Sequence, residues 1–130
     1  MSGPVIDPSE TVSRYLFKDD IRSDATIRHQ AFLPSSSNPK LSVFRIFGLS
    51  DQEIWTLAVE KVETIRTKRV IARGDLSIAQ VTDRQLVVQP DADPTSRHAN
   101  IVDWPADRDE RATLAKDLAA LASSAKRRDQ

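Results

Sequence analysis

Apolar residues along the chain alternate between two spacings, one typical of strands and one typical of helices. The run Leu41–Phe47 carries apolar side chains on both alternating faces, with Ser42 and Arg45 as its polar exceptions, so it predicts a central strand covered on each side. Shorter apolar runs predict further extended segments at 12–17, 27–33, 70–72, 86–88 and 98–102. Gly74 is expected to end the segment at 70–72.

Two capping boxes mark where helices begin. Ser50 and Glu53 have the spacing of a reciprocal side-chain cap, and the apolar periodicity that follows predicts a helix over 50–67. Ser77 and Gln80 repeat the arrangement and predict a second, short helix. Helix starts are therefore encoded locally at both places.

A third helix is predicted to begin after Asp107. Its apolar stripe is narrow and rich in small residues, as expected for a helix packed closely on a sheet or on another helix: Leu114, Ala115, Leu118, Ala119, Leu121 and Ala122. The basic run 126–128 is expected to close this helix, because cations interact favourably with its terminal carbonyl groups.

Strands that alternate with helices after residue 41 predict an α+β or α/β fold. We expect a two-layer sandwich of a small mixed sheet with about three helices. Residues 1–10 are rich in Gly, Pro and polar side chains and predict a flexible leader. Residues 11–126 form the expected single domain, and 127–130 a short basic or polar tail.

Composition excludes several function classes. The chain has 130 residues with 19 basic and 19 acidic side chains, and this balance disfavours a dedicated nucleic-acid binder. It has no cysteine, which excludes disulfides, zinc ribbons, iron–sulfur clusters and thiol nucleophiles. With three glycines it cannot build a Walker or dinucleotide-binding loop. We expect no cofactor, no metal site and no membrane partner, and a cytoplasmic location.

Two histidines are the main candidates for chemistry. His29 follows Arg28 and His98 follows Arg97, so a sheet that joined them would supply an acid, a base and a phosphate-binding cation for phosphodiester cleavage. Neither histidine is followed two residues later by the Thr or Ser of two-histidine phosphoesterases. The alternative is that both histidines serve the fold alone.

The segment from Asp93 to Pro105 is dense in polar side chains around His98. If this segment forms an active site, His98, His29 and Asp103 are the candidate catalytic residues. The candidate ligand-binding residues are Arg97, His98, Asn100 and Trp104. In the alternative interpretation, His98 and Asn100 satisfy backbone groups at a turn and Trp104 fills the core.

Three segments, Leu41–Arg45, Leu49–Trp55 and His98–Pro105, resemble small uncharacterised bacterial proteins that carry a His-Ala-Asn-Ile-x-x-Trp-Pro sequence. The resemblance spans about residues 12–125. It implies no activity, so it assigns no catalytic residue. It does suggest that four side chains act together: His98, Asn100, Trp104 and Pro105.

Two function classes compete. The first is a non-catalytic protein-interaction module, working through another protein or by self-association, with Trp55 either in the core or on the binding surface. Its support is the neutral charge, the lack of a catalytic motif and the amphipathic helices. The second is a small hydrolase or phosphate-ligand binder centred on His98, with Arg97, Asn100 and Asp103.

Overall fold

The computed structural model describes residues 7–35, 39–92 and 95–128. Its strands are β1 (Thr11–Leu16), β2 (Leu41–Arg45), β3 (Ala72–Ser77), β4 (Val87–Pro90), β5 (His98–Val102) and β6 (Lys126–Arg127). They form one six-stranded sheet in the order β4-β5-β2-β1-β3-β6. Each described pairing is antiparallel, where the sequence predicted a mixed sheet.

Within the described residues, three helical segments accompany the sheet, which confirms the α+β class. The first, called here the long helix, runs through α1 (Asp51–Ala58), a π-helical stretch (Val59–Glu63) and α2 (Thr64–Arg66). The others are α3 (Ile78–Thr82) and α4 (Arg108–Ala122), and short 3-10 turns lie at Lys18–Asp20 and His29–Phe32. Among the described residues, no helix has both the length and the apolar character needed to cross a membrane.

The sheet is covered by helices on both faces. Leu41 and Val43 of β2 belong to the larger core, which includes the small-residue stripe of α4. Phe44, which points to the other face, belongs to a second core with Ile54 and Ala58 of the long helix. The expected central position of β2 is confirmed, and the two expected layers become three where the long helix lies.

Both predicted capping boxes are present. The Ser50 amide donates to Glu53 Oε1 at 3.0 Å, and the Glu53 amide donates to Ser50 Oγ at 3.2 Å. Ser77 and Gln80 exchange the equivalent bonds at 2.9 and 3.2 Å. Asp107 caps α4 by accepting from two backbone amides of its first turn. These starts depend on side chains within three residues, which is why the sequence predicts them.

The expectation that Gly74 ends a strand is wrong, because β3 passes through it. A Cβ at this position would lie 2.8 Å from Ile27 Cδ1 and 3.1 Å from Ala122 Cβ. Glycine therefore allows α4 and the chain near Ile27 to approach the sheet closely. Gly74 thus serves close packing within β3 and does not end the strand.

The expectation for the basic run 126–128 is also wrong. The helix α4 ends at Ala122, and Lys126–Arg127 pair with the free edge of β3. Arg128 Nη1 donates to Glu63 Oε2 at 2.8 Å and to the Val70 carbonyl at 3.1 Å. The edge of β3 has unpaired backbone groups, and pairing with them outweighs an interaction at the helix end.

Two other boundaries differ from the predictions. The segment predicted as extended at 27–33 contains a 3-10 turn, which places both Ala31 and Phe32 in the core. The turn supplies backbone partners, such as the Arg28 carbonyl for the Ala31 amide, that no neighbouring strand offers there. Glu10, at the end of the expected leader, is buried and accepts a 2.7 Å bond from Arg45 Nε.

The contact between β1 and β2 is short. Val12 is paired with Arg45 and Ser13 with Phe44. Beyond this point the Arg14 guanidinium lies against β2 and donates from Nη1 to the Ser42 carbonyl at 2.9 Å. The sheet thus opens on one side of this pairing, next to Ser42.

Candidate functional site

The pairing of β2 with β5 brings Ser42 next to His98. His98 lies opposite Phe44, and Asn100 opposite Ser42, so the four side chains share one face of the sheet. Ser42 Oγ lies 2.5 Å from His98 Nε2. This hydrogen bond joins residues 56 positions apart in the chain and depends on the register of the two strands.

The other ring nitrogen of His98 is fixed by Asp91. Nδ1 lies 3.2 Å from the Asp91 carbonyl oxygen and 3.7 Å from its carboxylate Oδ2. An oxygen at that position accepts from Nδ1–H, which leaves Nε2 unprotonated in the neutral ring and able to accept from the Ser42 hydroxyl. The hydrogen-bond pattern therefore assigns the tautomer that a general base requires.

Neighbouring groups hold this arrangement in place. The edge of the Phe44 ring faces the imidazole, with ring centroids 5.3 Å apart and an interplanar angle of 64°. Asn100 Nδ2 donates to Asp91 Oδ2 at 3.2 Å. His98 is only 7% exposed, so the ring has little freedom to turn away from Ser42.

Ser42 faces a cavity of about 170 Å³ between the long helix and the sheet, called here the helix–sheet groove. Its walls carry apolar side chains from both layers: Tyr15, Phe17, Phe44, Val62 and Ile65. Its polar lining consists of Ser42 and three cationic residues, Arg14, Lys61 and Arg66. Among the described residues that line it there is no carboxylate.

Arg14 is fixed at one end of this groove. Its Nε donates to the Ala31 carbonyl and its Nη1 to the Ser42 carbonyl, both at 2.9 Å. Burial lowers the pKa of Arg14 to about 10, with the nearby Asp20 carboxylate opposing the shift. The guanidinium is thus still charged at neutral pH, and it is poorly solvated, which favours an anionic partner.

The positive charge continues beyond the groove on the side of Phe17. Arg66 and Lys68 lie over the Phe17 ring, 5.5 and 5.9 Å from its centroid. A neighbouring cavity of about 520 Å³ shares Arg14, Phe17 and Arg66 with the groove. That cavity also has Asp19 and Asp20 in its wall, so its charge is mixed.

The structure does not bring the two histidines together. His29 lies in the 3-10 turn that packs with α4, where it lines a separate cavity with Lys116. This turn belongs to the larger core, whereas His98 lies with Phe44 on the opposite face of the sheet. Arg28 precedes His29 there, and neither residue lines the cavity that Ser42 faces.

Asp103 is separated from His98 by the length of β5. Five residues of a strand span about 16 Å. Asp103 has a left-handed backbone, with φ of 66°, and lines a cavity of about 490 Å³ that also includes Asp109 and Glu110. In the described ranges, no three or more His, Asp or Glu side chains are arranged to hold a metal ion.

The remaining predicted site residues have structural contacts. Trp104 is buried in the larger core, and its Nε1 donates to the Ile101 carbonyl at 2.9 Å. Arg97 Nη1 donates to the Phe47 carbonyl at 2.6 Å and so holds the turn after β2. Asn100 supports Asp91, as described above. Asp93 lies outside the described residues.

Trp55 packs against the second core, and it also covers a buried cation. The Arg73 guanidinium lies 5.0 Å from its ring centroid, and Tyr15 stands 6.5 Å away. Arg73 is paired with Asp51 at 3.1 Å and with Asp75 at 3.3 Å. Core packing thus accounts for Trp55, as one of its two predicted interpretations states.

Sequence reasoning selected His98 but missed its partners. Ser42, Asp91 and Arg14 are distant from His98 in the chain or lie in another element, and no local motif joins them. One signal was present, because Ser42 is, with Arg45, one of two polar side chains in an otherwise apolar strand. No family model, curated protein or solved structure matches this chain.

Proposed function

We propose that this protein binds a small phosphate-bearing ligand in the helix–sheet groove. The observation that carries the proposal is the lining of the groove, which has three cations and no carboxylate among its described residues. The chain as a whole has equal numbers of acidic and basic side chains, so this local excess is a departure from its average. Clefts of one charge sign concentrate ligands of the opposite sign.

The three cations differ in how they would bind a phosphate. Arg14 lines the groove and is already oriented by two carbonyl groups, so it would bind an anion without losing much side-chain freedom. Lys61 and Arg66 extend from the long helix on the opposite side of the groove. A phosphate between them would receive charge-assisted hydrogen bonds from both layers.

The apolar wall limits the size of the rest of the ligand. Pockets for drug-sized molecules usually enclose about 300–1,000 Å³, and this groove encloses about 170 Å³. Phe17 and Phe44 offer ring surfaces beside the cations. We therefore propose a phosphate with a small, flat organic group, such as an aryl phosphate.

Isothermal titration calorimetry with phenyl phosphate tests the proposal. Each of Lys61→Gln and Arg66→Gln should weaken binding about 10- to 100-fold, since each removes one charge-assisted contact. The matched control is Arg108→Gln, an exposed cation at the start of α4 that should leave binding unchanged. Equal affinities in all four proteins, or no heat of binding in the wild type at millimolar ligand, would refute the proposal.

This proposal keeps the predicted phosphate-ligand class but moves the centre of the site from His98 to the groove, which His98 reaches through its hydrogen bond with Ser42. Ser42, Arg14, Lys61 and Arg66 replace the predicted Arg97 and Asp103. Asn100 keeps a supporting place through Asp91. The bacterial origin and cytoplasmic location expected from the sequence stay part of the proposal.

The second candidate is the predicted non-catalytic interaction module, and one observation favours it. Phe47 is 66% exposed, and Ile65 is 62% exposed. The long helix separates them by roughly 20 Å, so Phe47 would act as an isolated anchor. Analytical ultracentrifugation tests self-association through it: a wild-type dimer that Phe47→Ser converts to a monomer supports this function, and monomers in both argue against it.

A further inference from the structure

We propose that Ser42 is a nucleophile and that the helix–sheet groove hydrolyses phosphate monoesters. This inference rests on the proposed function, because the anion held by the groove would be the phosphoryl group that reacts. It goes beyond binding in assigning a covalent step to one atom, Ser42 Oγ. The geometry that points to it is the contact between this atom and His98 at the floor of a positively charged groove.

Ser42 has the two features that distinguish an activated serine from an ordinary one. Its hydroxyl lies 2.5 Å from an imidazole nitrogen, within reach for transfer of its proton. That imidazole is oriented from its other side by Asp91, at 3.2 Å from the carbonyl oxygen. A nucleophile, a base and a group that orients the base are the parts of a catalytic triad, whatever the fold.

The site is also open where the nucleophile needs access. Ser42 is half-buried and lines the groove, while His98 behind it is almost fully buried. The ladder between β1 and β2 stops short of Ser42, and Arg14 lies in the opening. A phosphoryl group that contacted Arg14 would therefore lie next to the Ser42 hydroxyl.

The reaction has two balanced steps. In the first, Ser42 Oγ forms a bond to phosphorus while the bond from phosphorus to the ester oxygen, in line on the far side, breaks; His98 Nε2 takes the serine proton, and the departing oxygen takes a proton from solvent water, which leaves hydroxide. In the second, water attacks the phosphoserine from that far side and loses a proton to this hydroxide, while the Ser42–phosphorus bond breaks and Ser42 Oγ regains its proton from His98 Nε2. The products are one alcohol and inorganic phosphate.

The cations of the groove have a catalytic part in both steps. Phosphoryl transfer spreads negative charge over the three equatorial oxygens, so it is accelerated mainly by positioned cations. Arg14, Lys61 and Arg66 supply three such charges. Asp91 and Asn100 contact neither the substrate nor the reacting atoms and are positioning residues.

Hydrolysis of 4-nitrophenyl phosphate by the full chain, without added metal, tests the inference. Ser42→Ala and His98→Gln should each lower kcat at least about 100-fold. Inorganic phosphate should bind Ser42→Ala within about threefold of the wild type, since its cations remain. The control is Ser96→Ala, an exposed serine just before the start of β5, which should keep full activity.

Covalent trapping gives a second measurement that does not need turnover. Diisopropyl fluorophosphate should modify the wild type once, with the label on Ser42 by peptide mass spectrometry, and should not modify Ser42→Ala. The Asp91→Asn variant keeps the backbone carbonyl that orients His98 and removes only the carboxylate charge 3.7 Å from its Nδ1. It should lower kcat modestly with little change in KM, and it should add no further loss in a Ser42→Ala background. A merely structural defect would instead reduce phosphate affinity and activity together.

The outcomes separate this inference from the proposed function. Phosphate binding with neither turnover nor a label on Ser42 overturns the inference and leaves the ligand-binding function standing. Absence of both binding and turnover overturns both. A label on Ser42 without phosphate binding refutes the ligand class, and turnover of 4-nitrophenyl acetate alone would make the substrate a carboxylic ester and overturn the phosphatase assignment.

Discussion

Tyr15 is expected to make the fold lose stability at alkaline pH. The side chain is 4% exposed, and its hydroxyl donates to the Ile54 carbonyl at 2.7 Å, linking β1 to the long helix. Burial is the main cause that raises the pKa of Tyr15 above its ordinary value. An unfolded tyrosine loses its proton near pH 10, whereas the folded one keeps it.

The sign and size of the effect follow from proton linkage. Below about pH 10 both states hold the phenolic proton, and the contribution of Tyr15 to stability is fully present. Above that pH the unfolded state binds one proton fewer, so the free energy of unfolding falls by about 1.4 kcal/mol per pH unit. At pH 11.5 the accumulated loss is about 2 kcal/mol.

Tyr15→Phe removes this titration. At pH 7 the variant should be about 1 kcal/mol less stable than the wild type, because the hydrogen bond to Ile54 is lost. The difference should close near pH 11 and reverse above it. Denaturant unfolding of both proteins from pH 7 to 11.5 measures the difference, and the titrations of other groups cancel in it.

A direct titration is available because the chain has one tyrosine. Its ultraviolet absorbance reports Tyr15 alone, and the native protein should show no phenolate midpoint near pH 10. A midpoint at about 10 in the folded protein, or a stability difference that does not change with pH, would refute the reasoning.

Three further changes test the packing and the caps. Gly74→Ala should lower the free energy of unfolding by about 1–3 kcal/mol, since its Cβ would lie 2.8 Å from Ile27 Cδ1. Denaturant unfolding measures this loss, and an unchanged stability would mean that the close approach is absent. Gly48→Ala meets no atom within 4 Å but has φ of 79°, so about 1 kcal/mol of backbone strain is expected in the same assay. Ser50→Ala should lower the free energy of unfolding by about 1 kcal/mol, because it removes the capping box. Gln52→Ala, at an exposed position of the same helix, is the neutral control, and equal melting temperatures for the two variants would count against the cap.

Local signals in the sequence predicted the elements well where a few neighbouring residues decide them. The caps at Ser50, Ser77 and Asp107 act within three residues of themselves. The run predicted as a strand at 41–47 has apolar residues on both faces; β2 covers 41–45 of it, and helices do cover both faces there. Such features need no knowledge of the tertiary structure.

The errors lie where a distant part of the chain decides the structure. Glycine usually weakens or ends a strand, yet Gly74 is needed within β3 because Ile27 and Ala122 pack against it from other parts of the chain. Basic residues such as Lys126 and Arg127 are common at the ends of helices, yet these two pair with the edge of β3. Composition near a residue carries no information about a partner fifty positions away.

The candidate site shows the same limit. His98 stands out in the sequence because polar residues surround it, but the neighbours in sequence are not its partners in space. Asp103 lies at the far end of β5, and His29 on the other face of the sheet. The partner on the adjacent strand, Ser42, is identified by strand register, which no single sequence reveals.

The short pairing of β1 with β2 divides the sheet into two three-stranded halves, β4-β5-β2 and β1-β3-β6. Ser42 and His98 belong to one half, and Arg14 to the other. Neither half contains the whole of the proposed site, so a fluctuation that parts them would abolish the proposed ligand binding while each half keeps its own ladders. Affinity for the proposed ligand would therefore be coupled to the local opening free energy of this boundary, and hydrogen exchange at the Ser13 amide should slow in proportion to the fall in the unliganded fraction.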